Sequence, residues 1–357
     1  MLLMAAELFT ACRQEKAGPR VWAQMYVKGE ADTAYYRQGY KECFAEGKHY
    51  SILAVDSLSF PPGVKSFNRM HHHGVAIESG PMAYRIYFDK RQTVDVYAKR
   101  RPKLELAESL WYPNDSLLAC GYGDDVLRVG NSIGVGSVRP FRQDPSGDKG
   151  QASALLAWEP MERRTQRIVR LSRDTAVVQA EVYGWQPPTE AGEDKAKEGD
   201  STVSVITRYT MTAASREMVC EVYATAPSSC LCTGVQHVGG DSTRADITEH
   251  AVLLTSWGTD WPVNDTVKYG KETIGLAVSV GEAYAGRPFD DGKQLLVPLV
   301  LHRTDRPSGA HVNDVPAAFG WYARFRLMVV AQKEEAPPAR TQEEFLRLAE
   351  RWSRQTP

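Results

Sequence analysis

The strongest constraint on this chain is a run of alternating segments between residues 167 and 223. Thr202-Val-Ser-Val-Ile-Thr-Arg-Tyr-Thr-Met-Thr212 alternates, passes a short turn at Ala-Ala-Ser-Arg216 and resumes as Glu217-Met-Val-Cys-Glu-Val-Tyr223. Just upstream, Arg167-Ile-Val-Arg-Leu171 turns through Ser-Arg-Asp174 into Thr175-Ala-Val-Val-Gln-Ala-Glu-Val-Tyr183. Successive side chains of a strand point to opposite faces, so this pattern buries one face and leaves the other polar. Short turns between such segments give an antiparallel meander. Further β runs at 251–255, 273–280, 294–301 and 321–331 extend it. The expected fold is all-β, a large antiparallel sandwich.

Two segments depart from this pattern. Gln186–Asp200 (QPPTEAGEDKAKEGD) reads as a solvated loop between strands. Glu334–Arg340 (EEAPPAR) reads as a linker into a terminal helix, for which Thr341 and Glu344 form a capping box. Phe345, Leu348, Ala349 and Trp352 recur at helical spacing and give that helix one apolar face, expected to dock outside the sandwich. The expected organisation is a leader-like segment over 1–19, one β-sandwich domain over 20–332, and a linker with a C-terminal helix over 333–357.

Composition excludes some functions. The net charge of −1 leaves no electrostatic footprint for nucleic acid. No run of 18 apolar residues is present, so no transmembrane helix is expected. The first residues, Met1-Leu-Leu-Met-Ala-Ala-Glu-Leu-Phe-Thr-Ala-Cys12, resemble the end of a bacterial lipoprotein signal, with Cys12 as a possible lipid anchor. Export to the periplasm or the outer membrane is the corresponding expectation. Cys43, Cys120, Cys220, Cys230 and Cys232 contain no paired CxxC, so free or buried thiols are expected rather than a zinc site. Eight Trp and sixteen Tyr supply ring faces on which sugar C–H faces can stack.

Residues 71–97, HHHGVAIESGPMAYRIYFDKRQTVDVY, carry most of the functional argument. Gly80-Pro81 fits a type II′ turn. Counting outward pairs Glu78 with Ala83, Ile77 with Tyr84, Ala76 with Arg85 and Gly74 with Tyr87. One face then holds Val75, Ile77, Tyr84, Ile86 and Phe88, with His71 and His73 at its end. The other holds His72, Gly74, Ala76, Glu78, Arg85, Tyr87 and Asp89. Large polar residues over Gly74 and Ala76 would leave a solvent-facing trough in which an acidic sugar meets the Arg85 fork and the Tyr87 ring. His71 and His73 could hold a divalent metal, but no third ligand stands at a recognised spacing. A general base or a substrate hydrogen bond is the preferred role for the histidines, and no cofactor is expected.

Gly121-Tyr-Gly-Asp-Asp-Val-Leu-Arg-Val-Gly130-Asn-Ser-Ile-Gly-Val-Gly136 is too rich in glycine for a helix. It suits a loop whose backbone approaches a ligand, with Asp125 as acid or base, Arg128 binding an anion, and Tyr122 and Asp124 beside them. It is neither a dinucleotide fingerprint nor a P-loop. His237, Trp257, Trp261 and Trp321 are further candidates for substrate contact.

The segments HHHGVAIES, AYRIYFDK and VDVY, then Trp111-Tyr112-Pro113, then GYGDDVLRVGNSIGVG, resemble the bacterial family called domain of unknown function 4861, over about Arg20 to Gln332. The resemblance implies an exported protein of Bacteroidetes, encoded among polysaccharide-utilisation genes beside enzymes for uronic-acid-rich glycans. A galactose-mutarotase-like supersandwich is expected by fold analogy. Three functions compete. The first is elimination on acidic oligosaccharides by a lyase or dehydratase, with His72, His73 or His237 as base, Arg85 or Arg128 on the carboxylate, and Tyr87, Tyr122 or Asp125 as acid. The second is glycoside hydrolysis by Glu78 and Asp125. The third is glycan binding without catalysis.

Overall fold

The Gly74–Ser79 and Met82–Tyr87 strands pair in the register counted from the sequence, Gly74 with Tyr87 through Glu78 with Ala83. In the computed structural model they form the centre of a five-stranded sheet. Val21–Gln24 flanks one side, and Val94–Ala98 followed by the two-residue strand Asp124–Asp125 flanks the other. The structure describes residues 20–28, 40–45, 48–65, 69–109, 112–142, 154–187, 202–240, 242–304 and 315–355. The lipobox-like Cys12 and most of the 186–200 segment lie outside them.

The meander forms as its alternation requires. Arg163–Leu171, Thr175–Trp185, Val203–Thr212 and Glu217–Ala224 are consecutive antiparallel neighbours. They belong to a ten-stranded sheet that continues through Trp321–Ala331, Glu272–Gly281 and Ala251–Asp260. Val178, Val205, Val222, Leu276 and Leu327 point inward from this sheet. They share one core with Val75, Ile77, Tyr84 and Ile86 of the five-stranded sheet. A second five-stranded sheet, containing Leu231–Gln236 and Gln294–Pro298, contributes Val235 and Val297 to the same core. It meets the first through the bridges Val94–Gly134 and Val135–Val235. The result is a β-sandwich with antiparallel strands, as expected. Buried Gln166 ties the layers: its amide donates to Ile86 O at 2.9 Å and its oxygen accepts from Val75 N at 2.8 Å.

The terminal helix runs Gln342–Ser353, and the Thr341 side chain caps Glu344 N at 3.2 Å. Phe345, Ala349 and Trp352 are buried against Leu253, Ala277, Met328 and Val330 on the outer face of the ten-stranded sheet. The segment before it is not a free linker. Glu334 forms a two-pronged pair with Arg216 at 3.0 and 3.1 Å, pinning the helix approach to the sheet. Cys120, Cys220, Cys230 and Cys232 are free thiols.

Three local expectations are corrected. Gly80 does not take the positive φ of a type II′ turn; its carbonyl instead accepts from Lys103 N at 3.0 Å, which docks the turn on the following segment. The histidines do not continue the strand. They form a 3₁₀ turn in which His72 (φ 55°) and His73 (φ 59°) are left-handed, so the alternation counted for residues 71–73 does not apply. The polar face of the hairpin is not open to solvent. Residues 99–109 cross over it, with Leu106 packed on Ala76 and Ala83, and Arg85 and Glu78 are buried.

Candidate active site

Alternation across the five-stranded sheet brings one polar row together. Arg85 pairs in register with Asp95, and Tyr97, two residues on, with Asp125. The three side chains meet on the covered face. Arg85 Nη2 lies 2.6 Å from Asp95 Oδ2 and 2.5 Å from Asp125 Oδ1. The Tyr87 hydroxyl donates to the same Asp95 oxygen, and Val96 N donates to the other at 2.8 Å. Two carboxylates thus share one buried guanidinium. Burial is the main reason that the Asp125 carboxyl is pushed up to about 7; Arg85 opposes the shift and Asp95 adds to it. Burial also holds the Tyr87 phenol well above its ordinary value, with the Asp95 charge adding to the effect.

The cluster opens onto a cavity of about 810 Å³. Tyr87, Asp95 and Asp125 form part of its wall, and Leu127–Ser132 another part. Arg91, Arg128 and Lys293 bring three cations to its lining, and Pro262–Asn264 reach over it from the ten-stranded sheet. Tyr112 closes the wall above Arg85, its ring centre 5.9 Å from the guanidinium carbon. Burial pushes its phenol up to about 12, so it is protonated at neutral pH. The motifs at 71–89 and 121–136 therefore share one pocket.

The glycines of the second motif mostly serve the protein rather than a ligand. A Cβ at Gly123 would stand 2.0 Å from Ala98 O, and one at Gly134 (φ +61°) 2.2 Å from Val94 O. These positions let the segment lie against the Val94–Ala98 strand, which is what delivers Asp125 to Arg85. Gly130 (φ +50°) lies open and lines the cavity.

Other expected site residues are placed elsewhere. His72 is buried behind the cavity, its Nε2 2.9 Å from Leu106 O, and burial followed by the Arg85 charge lowers it well below the usual range. It is a neutral structural histidine and not a base within reach of substrate. His73 packs edge-on against Tyr87 at 5.6 Å and supports that ring. Glu78 binds Lys99 at 2.5 Å and accepts from Glu105 N and Leu106 N at 2.8 and 3.0 Å. It holds down the covering segment, so it is not the second carboxylate of a hydrolase. Asp124 is buried beside Asp125 and accepts from its N–H at 2.8 Å. Tyr122 bonds Glu108 and Lys103 away from the cavity. His237 stands 3.1 Å from Asp290 on an element next to cavity-lining Lys293. Trp257 is no sugar platform, because it stacks at 5.4 Å on Phe345 of the helix. Trp261 adjoins Pro262 at the cavity edge, with Lys271 5.9 Å from its ring. Trp321 packs against the main core.

Asp95, Tyr112, Arg91 and Lys293 are the site residues that sequence reasoning missed. Asp95 carried a signal, as a lone charge inside the apolar run Val94–Ala98. Tyr112 stands in the Trp111-Tyr112-Pro113 motif, whereas Arg91 and Lys293 sit in turns that look like any solvated loop. Among the described residues, no group of three or more His, Cys, Asp or Glu side chains is set to hold a metal ion.

The fold and site define a class: an all-β sandwich with a buried arginine–carboxylate cluster on the wall of a cavity whose lining holds three cations and the carboxylates Asp95, Asp125 and Asp291. The chain belongs to the family described as Domain of unknown function (DUF4861), whose model matches residues 12–356. No curated protein matches it.

Proposed function

We propose that this protein is an enzyme that acts on uronic-acid-containing oligosaccharides by elimination, as a lyase or dehydratase. The observation that carries the reading is Asp125, a buried carboxyl held near neutrality on the wall of a cavity lined by three cations. A uronate carboxylate would sit among Arg91, Arg128 and Lys293. Asp125, as carboxylate, takes the proton from the carbon next to that group. Negative charge then grows on the substrate carboxylate, where the cations stabilise it. The C–O bond at the β carbon breaks as the C=C bond forms, and the Tyr112 hydroxyl gives its proton to the departing oxygen. Arg85, Asp95 and Tyr87 are positioning residues that fix Asp125 and set its proton affinity.

Glycoside hydrolysis is less well served. Catalytic carboxylates of inverting enzymes stand ~6.5–9.5 Å apart, and retaining pairs flank the scissile bond. Asp95 and Asp125 instead contact one nitrogen of Arg85, on one side of the cavity. The reading carries with it the sugar-polymer setting implied by the family resemblance, export to the periplasm or outer membrane, lipidation at Cys12, and a galactose-mutarotase-like arrangement of the two layers.

The test is a screen of purified protein on uronate oligosaccharides, before and after lyase pretreatment, read by mass spectrometry with Asp125→Asn and Arg128→Ala alongside. Loss of one water marks dehydration, and scission at unchanged total mass marks a lyase. Asp125→Asn should slow either reaction about 10²–10⁴-fold. Gain of one water would replace elimination by hydrolysis, and retention of glycan without turnover would replace catalysis by binding.

A further inference from the structure

The ten-stranded sheet carries a second concavity on its outer face, away from the candidate active site. It measures about 1110 Å³, larger than the first. Its floor follows from alternation: Ala323, Phe325 and Leu327 enter the core, so Tyr322, Arg324 and Arg326 face outward. The end of the helix, Ser353–Gln355, forms one wall, and the turn Glu282–Tyr284 with His302–Arg303 forms another.

The arginines differ in what they bind. The Arg326 guanidinium is spent on the protein. It donates to Trp352 O at 2.8 Å, lies over the Trp352 ring at 4.7 Å and stands 3.5 Å from Glu217. Arg324 faces Glu221 in register, but the Glu221 oxygen accepts instead from the hydroxyls of Tyr223 and Tyr322, at 3.0 and 3.2 Å. Among the described residues Arg324 has no ion pair, and its Nε is buried without a hydrogen-bond partner. That nitrogen is sealed from the groove, so a ligand there would meet the two terminal nitrogens of Arg324. Tyr322 and Tyr284 meet edge to face at 5.7 Å beside it and supply ring surface. An arginine fork able to take a carboxylate in two-pronged fashion, aromatic rings for C–H faces, and Glu221 and Glu282 for hydroxyls together match an acidic sugar.

We propose that this groove is a second, non-catalytic binding site for an anionic saccharide, with Arg324 as the anion receptor and Tyr322 and Tyr284 as the ring platform. The ligand class rests on the reading given under Proposed function; the site itself rests on the groove. Holding a polymer here would raise the local concentration of its chain ends around the cavity.

The test is calorimetric titration of the full chain with a galacturonic acid tetrasaccharide and with its methyl ester. Two sites per chain are expected. Arg324→Ala should weaken one site at least tenfold while turnover of short substrates persists, which also shows that the variant folds. Exposed Arg303→Ala should weaken the same site with less risk to folding. The ester should lose this site, since it presents no anion. A single site abolished by Arg128→Ala and indifferent to both groove variants would overturn the groove and leave the catalytic reading standing. A single site abolished by Arg324→Ala alone would keep the groove and remove the support for a substrate cavity. No binding at all would overturn both.

Discussion

Asp125→Asn separates the proton chemistry of the cluster from its packing. Asparagine copies the shape of the protonated carboxyl and cannot ionise. In the native protein the Asp125 carboxyl is pushed up to about 7, from 3.8 for an ordinary aspartate, by burial and by Asp95, against the pull of Arg85. The folded chain therefore binds a proton more tightly than the unfolded chain, and this group's contribution falls as pH rises from about 4 to about 7. A shift of that size corresponds to on the order of 4 kcal/mol between the two ends of the window. Wild type should lose stability relative to Asp125→Asn across that range, and the two should agree at about pH 4. Urea midpoints measured every half pH unit from 4 to 8.5 give the difference directly. Activity should move with it: if Asp125 acts as base, wild-type kcat/KM rises with pH through about 7 and then levels, and the variant loses that limb. Parallel stability curves for the two proteins across pH 4–8 would refute the claim that Asp125 holds its proton near neutrality.

Three further outcomes follow from the packing. Arg85→Met leaves Asp95 and Asp125 facing each other without their shared cation, and should cost about 3–5 kcal/mol in urea denaturation at pH 8, with partial recovery at acid pH. Gly136→Ala should destabilise by about 1–3 kcal/mol, because Gly136 sits at φ +66° and a Cβ there would stand 2.5 Å from Leu327 Cδ2; an unchanged thermal midpoint would contradict the tight contact. Phe345→Ala should cost about 3–5 kcal/mol by removing a fully buried ring from the helix–sheet contact, where Phe345 lies directly over Gly275; limited proteolysis should then release the C-terminal helix.

Local period and turn chemistry determined a large part of this architecture from sequence alone. The meander from 163 to 224, the register of the 74–87 hairpin and the capped, one-faced helix at 342–353 all depend on neighbours a few residues apart. Asp125, Arg128, Arg85 and Tyr87 were legible as chemistry because charged and phenolic groups interrupt otherwise apolar or glycine-rich strands. The histidine run misled, since three identical residues carry no period and a left-handed turn at His72–His73 leaves no mark in composition. Only the tertiary structure decided what each polar group faces. Residues 99–109 fold over the hairpin and convert an apparent open trough into a buried charge cluster, turning Glu78 and His72 into internal supports. Tyr112 comes to lie over Arg85, and the packing of Gly123 and Gly134 on the neighbouring strand brings Asp125 beside it. Strand alternation is a property of adjacent residues, whereas the environment that raises a carboxyl's proton affinity is made by burial and by charges far apart in the chain.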